Sequence, residues 1–435
     1  MTLNALQMLC ACLQERVCDK NIHLFALRVV ILSEEICMNL GWVDFSDNDR
    51  KKVLEVIHLL SEKGAVDELG FGIIRDGFAD YFFPGTSTVQ TRAKYYLLVP
   101  YILKDAVNME KPERYLDTTE KNVAVEMYNK NMKDGLIGAD SIAAGKWVVR
   151  APSDIYWNGI KKLGIFKQDL SINQYFLENE KLKKNKKNAS GNAPSKDKEE
   201  GEHDDSDAGI ESSTNFWNLP TYKDNWRDTL KLILTSREAA FLRKRILSVK
   251  TKTGNQTLYS FVLSNNIQLD NYDSFEELTE DIKKSVNSEL FEMLELANNF
   301  NKLAMIAKCR YNILISNGLN EEANSLWKEY KNKLDKIACV DVDKIFMKLN
   351  IHNQELKSFL KQLQSLVKEN EIEKIDELIK IREKRLKGTE RAKLLHPEKF
   401  NKEDFQEYFV GTAFLDYRMH SARRILNDIY EAENV

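Results

Sequence analysis

Apolar residues recur at helical spacing along most of this chain, so the pattern predicts α-helices rather than strands. An apolar stripe that follows Ser46 predicts a helix over 47–63. A second helix is predicted from Ile73 to Phe83, where Pro84 and Gly85 are suited to a turn. These elements open the amino-terminal half of the chain.

The third predicted helix is apolar on every side. Ser87 and Gln90 have the spacing of a capping box, so we expect this helix to run from Ser87 to Ala106. Between Tyr95 and Leu103 it has no polar face, which is typical of a helix in a core. A further short helix is predicted after a Ser153 cap, ending at Gly164.

A charged segment separates the two halves of the chain. Lysines dominate its first part and a run of acidic residues over 199–205 follows, which is typical of a disordered linker. We therefore predict an amino-terminal helical domain over 38–178, a disordered linker over 179–214 and a helical domain over 215–435.

Helical periodicity dominates the second half. A capping box of Thr235 and Glu238 starts one helix, the region 353–387 predicts a helical hairpin interrupted near Asn370, and the chain closes with a helix from Ala413 to Tyr430. The remaining predicted helices cover 223–234, 237–248, 275–299, 300–316 and 320–337. The predicted fold class is mostly α. It consists of a compact amino-terminal helical domain and a carboxy-terminal helical array, joined by the disordered charged linker.

Composition narrows the class of protein. The chain has 43% hydrophobic and 30% charged residues among 435, which excludes wholesale disorder, and only 7 Pro and 18 Gly, which excludes collagen-like chains. The longest apolar run contains Pro100 and is half the length of a membrane span. With no secretory pattern at the amino terminus, we expect a cytoplasmic protein with no membrane contact.

The first 37 residues contain four of the six cysteines. Cys10, Cys12 and Cys18 lack the paired spacing of a zinc site, so we assign no metal. The residue usage becomes that of an ordinary helical domain after Met38. We interpret Met38 as the start of translation and residues 1–37 as upstream sequence that is not part of the fold.

No catalytic signature is present: the chain lacks Gly-x-Ser-x-Gly, a phosphate-binding Gly-x-x-x-x-Gly-Lys-Ser/Thr loop and His-Glu-x-x-His. We assign no catalytic residue and no cofactor, and we favour a protein that is not an enzyme. A nuclease-like site of dispersed carboxylates stays an alternative, because such a site needs no contiguous motif.

Arg92 stands on an otherwise apolar side of the third predicted helix, and a guanidinium there needs a partner. One interpretation is an anion site, in which Thr86, Ser87 and Thr88 hold a phosphate at a helix amino terminus beside Arg92. The other is structural, with Arg92 paired to Asp44, Asp76 or Asp80. The structural interpretation is favoured.

Arg418 likewise lies within the apolar face of the last predicted helix. We expect it to anchor a contact between domains through a buried ion pair. His420, between Asp416 and Arg424, is interpreted as part of a surface network.

The segment 223–252 is the candidate for nucleic-acid binding, because it holds nine basic residues against three acidic ones in a chain whose net charge is −3. A solvated helix face is the alternative interpretation. The residues proposed to contact phosphates are Arg227, Lys231, Arg237, Arg243, Lys244 and Arg245.

Four sequence blocks resemble a bacterial family described only as a domain of unknown function. They are Gly41-Trp42-Val43-Asp44-Phe45-Ser46, the long block from Ala79 to Tyr95 that contains Phe-Pro-Gly-Thr-Ser-Thr-Val-Gln-Thr-Arg, Ser153-Asp154-Ile155-Tyr156-Trp157, and Phe414-Leu415-Asp416-Tyr417-Arg418. The resemblance implies a cytoplasmic protein encoded beside helicase-like, phospholipase-D-like or DNA-modification proteins in loci that resemble phage-defence islands.

We therefore expect a non-catalytic accessory or adaptor component of a phage-defence-type system. Its expected partners are other proteins of the same locus, helicase-like or effector proteins, and DNA or RNA. A nucleic-acid-binding module using 223–252 is the first alternative, and an enzyme with an unrecognised site is the second.

Overall fold

The computed structural model describes residues 67–191, 216–221, 226–396, 405–406, 408–412 and 414–434, all within one compact unit that runs from Asp67 to Val435. Over these residues the chain is α-helical with short 3-10 turns, and β pairing is limited to two isolated bridges, Phe166 with Trp217 and Lys250 with Gln256. The mostly α fold is thus confirmed. The helix predicted over 47–63, Asp44 and Met38 lie outside the described residues.

The helices of the first half are α1 Gly72–Phe82, α2 Tyr95–Ala106, α3 Pro112–Asn129, α4 Ala139–Ala143, α5 Pro152–Lys162 and α6 Ile172–Gly191. Those of the second half are α7 Ser236–Ser248, α8 Leu258–Ser264, α9 Phe275–Ile282, α10 Ser288–Ile315, α11 Glu321–Tyr330, α12 Leu334–Ile337, α13 Val342–Leu349, α14 Gln354–Lys368, α15 Ile372–Lys387 and α16 Met419–Glu433. None of these described helices is both long and apolar enough to cross a membrane.

Helix α2 is buried along almost its whole length, as its apolar sequence predicts. Its predicted start at Ser87 is wrong, because the helix begins at Tyr95. A helix through this region needs the N–H groups of Thr91, Arg92 and Ala93 to bond to carbonyls four residues back. Side chains take those N–H groups instead, and residues 87–94 form turns.

Other helix boundaries also differ from the sequence prediction. The capping box of Thr235 and Glu238 is present at the start of α7. The short helix α5 begins at Pro152 rather than after a Ser153 cap. Helix α6 extends to Gly191, so the first part of the predicted linker, 179–191, is helical, and its remainder lies outside the described residues.

The second half is organised around α10, which is buried on several sides. The sequence predicted a helix break near residue 300, but the break lies between α9 and α10. Helices α14 and α15 pack as the predicted hairpin, with Asn370 in the left-handed conformation at the turn. The last helix begins at Met419 rather than near Ala413.

The described residues between 405 and 417, which we call the strap, run along α10. Asn312 accepts a hydrogen bond from Val410 N at 2.6 Å and donates to Val410 O at 3.3 Å, and Asn301 bonds to Leu415 N and O at 2.8 and 3.0 Å. Asn301 and Asn312 are eleven residues apart on α10, a distance of about 16 Å along the helix. The two amides therefore fix the strap to α10 at two separate points.

Residues on the two sides of the predicted linker contact each other directly. Tyr81 on α1 donates to Glu289 on α10 at 3.0 Å, and Ala93 N donates to Asp428 on α16 at 2.6 Å. These contacts show that the two halves pack against each other. They do not test whether each half folds independently, so the domain boundaries stay a prediction.

Candidate functional site

A buried polar cluster joins the loop before α2 to helices α5 and α16. We call it the Arg92 junction, and its members are Thr91, Arg92, Ala93, Tyr156 and Asp428. Its centre is the Tyr156 hydroxyl, which accepts from Thr91 N at 2.8 Å and Arg92 N at 3.1 Å and lies 2.9 Å from Arg92 O. Burial raises the pKa of Tyr156 above its ordinary value. The hydroxyl thus stays protonated and fixes the loop backbone.

Asp428 supplies the charge that Arg92 needs. Arg92 Nη2 lies 2.9 Å from Asp428 Oδ1, and Arg92 Nη1 lies 2.7 Å from the exposed carboxylate of Asp134. Burial raises the pKa of Asp428 to about 6, although the Ala93 N–H and the Arg92 guanidinium both favour its charged form. The ion pair of Arg92 is therefore with residues other than the predicted Asp76 and Asp80.

Two glycines allow the loop to approach α5 closely. Gly85 has a φ of +86°, and a Cβ on Gly159 would lie 2.4 Å from the Gly85 carbonyl oxygen. That oxygen also accepts from Gln90 Nε2 at 3.1 Å and lies 2.9 Å from the Tyr96 hydroxyl. The Gly85 carbonyl is thus held so close to α5 that a side chain at Gly159 would have no room.

Among the residues proposed to hold an anion, Thr86 has its hydroxyl bonded within the fold, and Ser87 and Thr88 are bonded through their backbone. Thr86 Oγ1 donates to Phe83 O at 2.7 Å, and Ser87 N donates to Gln90 Oε1 at 3.0 Å. Thr88 is exposed, and its carbonyl accepts from Arg424 at 3.3 Å. The helix amino terminus on which the anion interpretation depends is absent here, because α2 begins at Tyr95.

Arg418 lies immediately before α16 and not within its apolar face. Its guanidinium lies 2.6 Å from Asp80 Oδ1 and 3.2 Å from Asp76 Oδ1, and it donates to Thr86 O at 2.9 Å. Arg418 and the fully buried Tyr417 both have positive φ, at 66° and 50°. The left-handed conformation of these two residues therefore positions the Arg418 side chain so that it contacts both α1 and the loop before α2.

The six basic residues proposed to bind nucleic acid divide into two groups. Arg227, Arg243 and Arg245 are engaged internally: Arg227 lies 3.8 Å from Asp105, Arg243 is paired with Glu433 at 2.6 Å, and Arg245 donates to Leu163 O at 2.8 Å. The other three are exposed and have no ion-pair partner among the described residues: Lys231, Arg237 and Lys244.

A second buried ionic cluster, which no sequence signal predicts, contains Glu68 in contact with Lys387 and Lys393. Glu383, fully buried, accepts from Tyr311 at 2.8 Å and from the backbone of the turn after α15. Burial, together with the neighbouring positive charge of Lys393, lowers the pKa of Lys387 to about 7. Glu383 and Lys387 have the spacing of an ordinary surface pair, so only the packing shows that they are internal.

A further buried carboxylate, Glu120, holds the start of α5. It accepts from Ser153 N at 2.6 Å and from Ser153 Oγ at 2.9 Å. Burial raises its pKa to about 7. Across the described residues, no group of three His, Cys, Asp or Glu side chains is placed to hold a metal ion.

Comparison with known families places this chain. The model described as "Family of unknown function (DUF6361)" matches residues 37–335. The chain belongs to this family. The DUF6361 match includes the loop before α2 and helix α5, and it ends before Arg418 and Asp428, which bond to that loop at Thr86 O and Ala93 N. No curated protein and no solved structure matches the chain significantly.

Proposed function

We propose that this DUF6361 protein is a non-catalytic accessory or adaptor component of a bacterial phage-defence-type system. It acts in the cytoplasm by binding other proteins of its locus, helicase-like or effector proteins. The support from the sequence is the resemblance of its blocks to a family found in such loci.

The structural observation that carries the proposal is the internal use of the polar residues in the long block. Gln90 bonds to Gly85 O within the loop, whereas Arg92 and the N–H groups of Thr91 and Ala93 bond to Asp428 on α16 or Tyr156 on α5. A catalytic residue must reach a substrate, but these groups connect helices that are distant in the chain. Such a block builds a scaffold, which suits a protein that acts by binding.

The test is reconstitution of a complex. The tagged full chain is purified from its native host with nuclease treatment, and the bound proteins are identified by mass spectrometry. We expect a stoichiometric partner encoded in the same locus, and we expect the purified partner to rebind the chain in high salt, because apolar protein contacts resist salt.

Two results would contradict this proposal. The first is a monomeric chain that binds none of the purified proteins of its locus. The second is cleavage of DNA or RNA by the purified chain with Mg²⁺ or Mn²⁺, which would favour the nuclease-like alternative.

A further inference from the structure

Five cations on α7 and in the segments that flank it are exposed and are not used by the Arg92 junction. We call this set of cations the basic ridge and define it by Lys231, Arg237, Lys244, Lys250 and Lys252. All five side chains are exposed, and none has an ion-pair partner among the described residues. Their freedom contrasts with Arg243 and Arg245 on the same helix, which bond to other elements.

The packing of α7 explains which cations stay free. Ala239, Leu242 and Ile246 form its buried face. Arg243 and Arg245 flank that face and reach neighbouring elements, whereas Arg237 and Lys244 lie opposite it. Arg237 and Lys244 are seven residues apart, so they share one side of the helix at a separation of about 10 Å.

The segment before α7 also exposes a cation. Its described residues 226–234 form turns and bends, so the helix predicted over 223–234 is wrong here. Leu230, Leu232 and Leu234 are buried, while Lys231 and Ile233 are exposed. Lys231 is thus free to contact solvent or a ligand, five residues before the start of α7.

The segment that carries the ridge has little acidic charge of its own. Glu238 is the one acidic residue in the sequence from Lys231 to Lys252. Its carboxylate oxygens lie 2.6 and 2.7 Å from Lys94 Nζ, and its side chain is 12% exposed. The segment from Lys231 to Lys252 therefore holds seven basic residues against this one acid, in a chain whose net charge is −3. Acidic side chains of other helices reach the segment and its following turn at Arg243 and Thr253.

We propose that the basic ridge binds the phosphate backbone of nucleic acid without reading its sequence. A duplex presents one negative charge per about 1.7 Å of its axis, so cations about 10 Å apart each reach phosphates. Phe241 is half-buried, and the ridge residues themselves include no aromatic ring on which bases can stack. The contact is thus electrostatic, and it goes beyond the proposed adaptor function.

The test uses fluorescence anisotropy of the full chain with duplexes of two unrelated sequences and with a single strand. We expect similar affinity for both duplexes. Five phosphate contacts predict a slope of log K against log salt of about −4.5 for duplex DNA.

The deciding variant is Arg237→Ala with Lys244→Ala. Removing two phosphate contacts is expected to weaken duplex binding at least about tenfold near 0.1 M salt and to make the slope shallower by about 1.8. The matched control is Lys328→Ala with Lys336→Ala, since both lysines are exposed and lack an ion-pair partner among the described residues. This control is expected to bind like the unmodified chain.

Three outcomes would overturn the proposal. They are no duplex binding at low salt, an equal loss in the control pair, and binding of single strands alone with little dependence on salt. Circular dichroism of each variant shows whether it is folded. Because the adaptor test includes nuclease treatment, failure of the ridge does not change its result.

Discussion

The Arg92 junction and the basic ridge both contain arginines that look unusual in the sequence, yet the fold treats them in opposite ways. Arg92 is 16% exposed and paired with Asp428, which is 5% exposed. Arg237 is exposed and has no ion-pair partner among the described residues. The difference depends on whether folding places an acidic residue that is distant in the sequence beside the arginine.

That comparison separates structural charge from charge available to a partner. At the junction, Ala93 and Asp428 are 335 residues apart in sequence and bond directly. A buried pair of this kind costs much when one side is removed, because the other charge stays buried. An exposed cation interacts weakly with its own fold and is left for solvent or a ligand.

The largest expected effect is at Asp428. Asp428→Ala leaves the Arg92 guanidinium with the exposed Asp134 as its acidic partner and removes the acceptor of Ala93 N, so we expect the free energy of unfolding to fall by about 3–5 kcal/mol. Urea denaturation followed by circular dichroism measures this. A loss below about 1 kcal/mol would show that Asp134 alone satisfies Arg92.

Gly159→Ala is expected to have the next largest effect. The new Cβ would lie 2.4 Å from the Gly85 carbonyl oxygen, so the loop before α2 must move. Overpacking of this kind costs about 1–3 kcal/mol. The same denaturation measures it. Gly159 is helical and has no positive φ, so Ala would otherwise be the more stable residue at this position. An unchanged or increased stability of Gly159→Ala would contradict the close approach.

Glu120 gives a prediction for pH. Its folded pKa of about 7 exceeds the ordinary 4.5, so between these values the folded state holds more protons than the unfolded state. Stability from this group is present at low pH and is lost as the pH rises from about 4.5 to 7, by a few kcal/mol in order of magnitude. Glu120→Gln should flatten that fall. An unchanged pH profile in the variant would mean that Glu120 does not titrate in this range.

The smallest expected effect is on the ridge. Arg237→Ala with Lys244→Ala should change the free energy of unfolding by less than about 0.5 kcal/mol, because exposed side chains without partners contribute little to stability. Thermal unfolding beside the Asp428→Ala variant checks this directly. A large loss would mean that these two cations have structural partners, and the contrast with the junction would fail.

The sequence correctly predicts the helical class, the all-round burial of α2, the capping box at Thr235 and the hairpin turn at Asn370. It missed the start of α2 and the partners of Arg92. Ser87 and Gln90 do bond to each other, but in a turn, because Tyr156 and Asp428 take the next N–H groups. A local signal was correct in itself and was overridden by distant side chains.

The spacing of apolar residues along the sequence by itself determined that this chain forms helices, because the apolar positions repeat every three to four residues. The sequence also shows a cation-rich segment with a single acidic residue from Lys231 to Lys252. Tertiary structure alone decided which charges are internal. The burial of Asp428 beside Arg92, of Glu383 beside Tyr311 and of Glu238 beside Lys94 depends on helices that meet only after folding. Electrostatic partners act over ångströms in space, and the sequence records only their order along the chain.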